Sequence, residues 1–303
     1  MTDPRFSFHD VGASPGGVRA LAITDDAAVW CVDGSAAVVL RRSADGELSR
    51  FALGEATAEP RSVAAATRDS VWVTDRGTDR ILRLDPSGVV WSTRAPTPDA
   101  GLGDIVGLDD GSAWFVEERA DGIGRVDILG RVTEFAPGAV GGEPSSIASD
   151  GTSVWFGLPG AHAIAYARGG DSQPGLVRFD DPLAAPTDVS VGDDGCLWFA
   201  DPGRRVIGRL ARGGAVDEFV PAEGLRPTRV GADSRGGCWF TMQQRASIGR
   251  VDGDGRITTI DIPGDRGVPV AVAGAPSGDV WLALDSGDLV RFADPGDPAD
   301  GIQ

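Results

Sequence analysis

Short apolar runs bounded by Gly and Asp recur along the whole chain. One stretch shows the unit. Asp109, Asp110 and Gly111 form a turn before the apolar segment Ser112–Glu117. Gly122–Asp127 follows as a second strand, Leu129 and Gly130 turn the chain again, and Arg131–Ala136 alternates polar and apolar positions. Runs of this length between turn formers predict strands joined in hairpins. No stretch carries the 3.6-residue apolar period of a helix. The unit returns at a fixed spacing. Trp30, Trp72, Trp114, Trp155, Trp198, Trp239 and Trp281 are separated by 42, 42, 41, 43, 41 and 42 residues, and Trp91 stands out of register. Ile-Gly-Arg recurs at Ile123, Ile207 and Ile248, with Ile81-Leu82-Arg83 as a variant. Phe51, Phe135, Phe219 and Ile260 each follow a repeat Trp by 21 positions. A repeat of roughly 40–45 residues built from short strands predicts an all-β fold, a seven-bladed β-propeller with one four-stranded blade per repeat.

The two ends complete this picture. The last repeat offers strands near Val268–Ala273, around Trp281 and at Asp288–Phe292, one fewer than a blade needs. Arg5–His9 alternates like an outer strand. It is predicted to pair into the last blade and close the ring, leaving no open edge there. Residues 1–303 then form a single domain.

Composition narrows the function. Gly (44) and Pro (20) supply the turns, and a 41% hydrophobic content with eight Trp supplies a core, which excludes a disordered chain. Acidic residues outnumber basic ones 45 to 28, every basic residue is Arg, and the net charge is -17. Such a chain is repelled by a phosphate backbone and has no basic cluster for anionic lipid, so neither nucleic acid nor membrane is an expected partner. No run of about 18 apolar residues exists to span a bilayer. Residues 1–15 carry Asp3, Arg5 and Asp10 without a continuous apolar core, so no secretory signal is expected and a cytoplasmic monomer is. Cys31, Cys196 and Cys238 are scattered, outside any Cys-x-x-Cys pair. They indicate neither a disulfide framework nor a zinc site, and are expected as small buried packing residues.

In a propeller the innermost strand of each blade starts on the top face and the second strand ends there. Positions eleven before each repeat Trp are Arg19, Arg61, Gly103, Thr187, Thr228 and Val270, with Ser145 ten before in the fourth repeat. Positions three after it are Asp33, Asp75, Glu117, Leu158, Asp201, Met242 and Leu284. Together they predict a channel mouth charged on one side, through Arg19, Arg61, Asp33, Asp75 and Glu117. The other side is mostly apolar, through Thr228, Met242, Val268, Val270 and Leu284. Such a mouth suits a mid-sized organic ligand. Asp33, Asp75, Glu117 and the loop residue His162 are the candidate catalytic groups. Arg19, Arg61, Asp201, Thr228, Met242, Val268, Val270 and Leu284 are the candidate substrate contacts. Strand-end acids have an alternative use, the capping of backbone N–H groups in the following turn.

The repeat pattern resembles one family. Trp-Phe-x-acid, then Ile-Gly-Arg, then Val/Ile-x-x-Phe, with Pro60, Pro144, Pro186, Pro227 and Pro269 before the innermost strands, is similar to the streptogramin B lyase (virginiamycin B lyase) family. Gly195–Asp201 with Ile207–Arg209, and Gly237–Thr241 with Ile248–Val251, carry it best, and it spans all seven repeats. The resemblance implies a magnesium-assisted elimination that opens a cyclic depsipeptide antibiotic at its ester, with His and acidic residues on the sixth and seventh blades. Here Thr228 and Val270 stand where the family has His. Val268, Leu284 and Met242 stand where it has acids. Val and Leu supply neither a titratable group nor a hard oxygen ligand. The resemblance therefore implies a divergent member without the metal centre, and no cofactor is expected. Two functions fit a small-molecule ligand at the mouth. One is a repurposed, metal-independent lyase or cyclase acting on a natural product. The other is a non-catalytic antibiotic-binding or protein-interaction scaffold.

Overall fold

In a computed structural model, which describes residues 3–168, 174–222, 225–242 and 245–294, the Trp period becomes seven four-stranded antiparallel sheets. Blade one runs outward through Val18–Ile23, Val29–Asp33, Val38–Arg42 and Leu48–Ala52. The other blades repeat this order, except that blade seven takes its outermost strand from the other end of the chain. There Phe6–Asp10 pairs antiparallel with Asp288–Phe292, from Phe6 opposite Phe292 to Asp10 opposite Asp288. The Phe6 ring lies 4.8 Å from that of Phe292. Ring closure is thus as the sequence predicts. Among the described residues the helical content is one short 3-10 turn, Pro159–Ala161, and no helix is long and apolar enough to cross a membrane.

The core is divided rather than central. Seven apolar clusters among the described residues lie between neighbouring blades. In one of them Trp30 and Val32 of blade one meet Val63 and Val73 of blade two. A second strand therefore has a blade on each face, and six of the seven are buried at every residue. This explains their continuous apolar runs, which a strand wetted on one face would interrupt. The three cysteines are buried and unpaired, and burial pushes the Cys31 thiol up to about 12. They are packing groups, as expected.

The Ile-Gly-Arg motif also has a physical basis. Gly124, Gly208 and Gly249 lie directly across from Phe115, Phe199 and Phe240. A Cβ on Gly208 would sit 1.9 Å from Phe199 Cζ. Glycine leaves the space into which the aromatic ring folds across the strand pair.

The seven innermost strands line the channel. In blades one, two, three, six and seven the pairing register slips by one residue near the start of this strand. The unpaired positions include Arg19, Arg61, Thr228 and Val270. A bulge of this kind re-aims the extra side chain, and here it does so at the rim of the channel.

Candidate functional site

Six of the seven positions expected at the start of the innermost strands line two adjoining cavities at the mouth. Arg19, Arg61 and Val270 border one of about 500 Å³. Arg61, Ser145, Thr187 and Thr228 border the other, of about 550 Å³. Both also touch Arg229, the next residue along from Thr228. Below them the channel narrows to about 150 Å³ where Asp104, Asp188 and Arg229 face it.

The strand-end positions do not join them, which corrects the expected mouth. Asp33 and Asp75 are fully buried. Asp33 accepts the Ser14, Ser35 and Ala36 N–H groups at 2.6, 3.0 and 2.9 Å. Asp75 accepts the Glu59 and Gly77 N–H groups at 2.7 and 3.1 Å and the Thr78 hydroxyl at 2.5 Å. Asp201, also fully buried, accepts the Ala185 and Arg204 N–H groups at 3.1 and 3.0 Å and pairs with Arg204 Nε at 2.7 Å. These carboxylates tie one blade's top loop to the next, and their lone pairs are occupied. Met242 and Leu284 belong to the packing between blades five and six and between six and seven. Val268 is half-buried and bonds Asp285 through its backbone. His162 adopts φ 51° after the 3-10 turn, with Nδ1 2.6 Å from the Ala184 carbonyl oxygen. Neither residue borders the two cavities. The predicted apolar wall shrinks to Val270 with Val18 and the rings of Pro144 and Pro159.

Glu117 is buried without such ties. Its Oε1 meets no hydrogen-bond partner among the described residues. Burial first, then the carboxylates of Glu134 and Asp79, push its pKa up to about 8. Glu134 in turn accepts the Thr97 N–H at 2.8 Å and its hydroxyl at 2.7 Å. Glu117 therefore carries its proton at neutral pH, in the packing and not at the mouth.

The residues missed in the sequence lie one step further along. Arg76, Glu118, Pro159 and Asp285 each follow a strand-end position and each borders the mouth. Each lies one residue beyond the end of a second strand that is packed on both faces, where the chain leaves the space between blades and reaches the rim. The end of the continuous apolar run is the sequence signal for that step. The mouth is strongly ionic. Arg76 pairs with Glu118, and Arg61 reaches the same carboxylate at 3.5 Å. Arg229 pairs with Asp188 at 2.9 Å. Burial raises the Asp188 pKa, and the Arg229 charge opposes that rise. Ser145 donates to the Thr187 carbonyl at 3.0 Å, and the Thr228 and Thr241 hydroxyls are 2.9 Å apart. Glu143 reaches the cavity from the loop before blade four, at φ 55°, and its carboxylate meets no partner among the described residues.

A magnesium ion does not fit this donor set. Val268, Val270, Leu284 and Met242 offer no oxygen side chains, and Glu118 and Asp188 already neutralise guanidiniums. Among the described residues no group of three or more His, Cys, Asp or Glu is placed to hold a metal ion.

Comparison with known proteins adds the family. A model described as the virginiamycin B lyase family matches residues 5–292. A virginiamycin B lyase from Nocardia farcinica is 37% identical over 109 residues. That match takes in 36% of this chain and spans 38% of the relative's length. The crystal structure of a selenomethionine-substituted virginiamycin B lyase from Staphylococcus aureus superposes with a TM-score of 0.87 at 23% identity. It covers 94% of this chain and 98% of the other. A catalytically inactive variant of the S. aureus lyase, solved with quinupristin, superposes with a TM-score of 0.86 at 23% identity, over 94% and 98% of the two chains. At this identity the likeness establishes the shared fold.

Proposed function

The chain belongs to the virginiamycin B lyase family, and on that premise we propose that its working site is the channel mouth, where it binds a natural-product small molecule and acts on it by metal-independent lyase or cyclase chemistry. One observation carries this: guanidiniums, hydroxyls and the carboxylate of Glu143, which has no partner among the described residues, converge on two adjoining cavities of about 550 and 500 Å³. Glu143 takes the proton-transfer role expected of Asp33, Asp75 and Glu117, because those three are buried away from the cavities. A carboxylate exposed in the cavity can reach a substrate proton. The guanidiniums of Arg61 and Arg229 can stabilise oxyanion charge as it develops. A second function has its own support. With Asp33 and Asp75 occupied by caps and Glu118 held by arginines, the mouth also suits a non-catalytic binder of the same class of molecule.

The test is a mass-spectrometric assay over a panel of cyclic and linear depsipeptides that includes quinupristin, with binding followed in parallel. A product formed equally with magnesium or with chelator, lost in Glu143→Gln while binding persists, supports the enzyme. Binding that Arg61→Ala abolishes, without turnover of any panel member, selects the binder. Magnesium-dependent opening of quinupristin would overturn both.

A further inference from the structure

On the premise that the mouth is the ligand site, we infer that it recognises a singly charged carboxylate on that ligand, held between Arg19 of blade one and Arg61 of blade two. The whole chain carries a net charge of -17, so its long-range field favours cations. The 500 Å³ cavity runs against that trend, with four guanidiniums, Arg19, Arg61, Arg76 and Arg229, on its lining. Two of the four are already engaged. Arg76 is paired with Glu118 and Arg229 with Asp188. Arg19 is exposed at the rim and has no hydrogen-bond or ion-pair partner among the described residues. Arg61 has one long contact, 3.5 Å to a Glu118 that Arg76 already holds.

These two side chains are also placed by construction. Each is the extra residue of a bulge at the start of its innermost strand, between Val18 and Ala20 in one blade and between Pro60 and Ser62 in the next. The same irregularity on neighbouring blades turns two planar, five-donor forks towards one cavity. Paired in-plane N–H groups match the two oxygens of a carboxylate, and such charge-assisted hydrogen bonds are roughly twice as strong as neutral ones.

The surrounding acids set the charge of the ligand group. Glu59 and Asp285 line the same cavity, and Glu118 and Asp188 stand behind Arg76 and Arg229. Asp285 Oδ1 already accepts the Val268 N–H at 2.8 Å. Four carboxylates balance four guanidiniums, so each negative charge that a ligand group adds meets repulsion, and a dianion meets more of it than a monoanion. The four carboxylates leave unspent donors on Arg19 and Arg61, which one carboxylate satisfies. A phosphate would meet the repulsion of Glu59 and Glu118 at close range.

The test uses benzoate, benzamide and inorganic phosphate as probes of the full chain, followed by the arginine Nε–H signals in nitrogen-edited NMR. Benzoate should move the Arg19 and Arg61 signals saturably, and the neutral isostere benzamide should not. Arg19→Gln and Arg61→Gln should each weaken benzoate by about tenfold, the loss expected for one charge-assisted group. Arg212→Gln, an exposed arginine outside the mouth, should leave it unchanged. Arg19 and Arg212 are exposed, so their variants compare two folded proteins. Phosphate binding tighter than benzoate would overturn the carboxylate assignment, as would equal response to benzoate and benzamide. If the mouth signals move with quinupristin but show no benzoate preference, the inference fails and the ligand site stands. If they move with no probe, quinupristin included, both fail.

Discussion

In blades two and three a single position along the chain separates a buried strand-end carboxylate from a side chain that borders the mouth. Asp75 is buried and caps the neighbouring loop, while Arg76 borders the mouth; Glu117 is buried and protonated, while Glu118 pairs with two arginines. Both members of each pair look alike in the sequence, as charged residues beside a strand end. Burial gives Glu117 a distinct signature. Its carboxyl, facing Glu134 and Asp79, titrates near 8 when folded against 4.5 as the ordinary value. A raised acid keeps its proton in the native state while the unfolded chain loses it, so its contribution is fully present below about pH 4.5. It is lost as the pH rises towards 8. The Glu117→Gln variant should therefore lose less stability than the parent between pH 5 and pH 8, by on the order of a few kcal/mol. Urea denaturation at both pH values measures this, and parallel curves for the two proteins would show that Glu117 is ionised in the fold.

Strand pairs explain the motifs that make the repeats recognisable. Six repeat tryptophans face an arginine across the second and third strands, from Trp30 and Arg41 to Trp281 and Arg291. Arg83 lies 5.1 Å from the Trp72 ring centre and Arg41 5.6 Å from that of Trp30. These contacts combine cation–π attraction with cover for the indole. Blade four breaks the series, with Tyr166 facing Trp155 at 5.0 Å. The glycine of Ile-Gly-Arg is as specific as the arginine. The Gly208→Ala variant places a methyl group against the buried Phe199 ring. It should cost about 1–3 kcal/mol through overpacking, read from the urea midpoint; an unchanged midpoint would mean that the ring moves aside freely. The motif was legible as a spacing, but the reason for its glycine is the ring across the strand pair.

Closure joins the N-terminal strand to the last blade. Phe6–Asp10 fills the outer edge of blade seven, and Phe6 packs with Val290 and Phe292 in the cluster between blades six and seven. Deleting residues 1–10 should lower the melting temperature strongly, because it exposes a strand edge and opens that cluster; an unchanged calorimetric transition would show that the ring closes without the strand. The blade number, the strand order and the closing partner were all readable from the 42-residue period and the alternation at each end. Those properties rest on patterns that lie open along the chain, the alternation within each strand and the spacing of the repeats. The contacts that build the mouth instead join residues about one repeat apart: Arg76 with Glu118, Ser145 with Thr187, Asp188 with Arg229. Whether a rim side chain faces the channel or the neighbouring blade depends on a bulge and on what lies one repeat away. No single repeat contains that information, so the propeller was written in the chain and the lining of its mouth emerged only when the blades met.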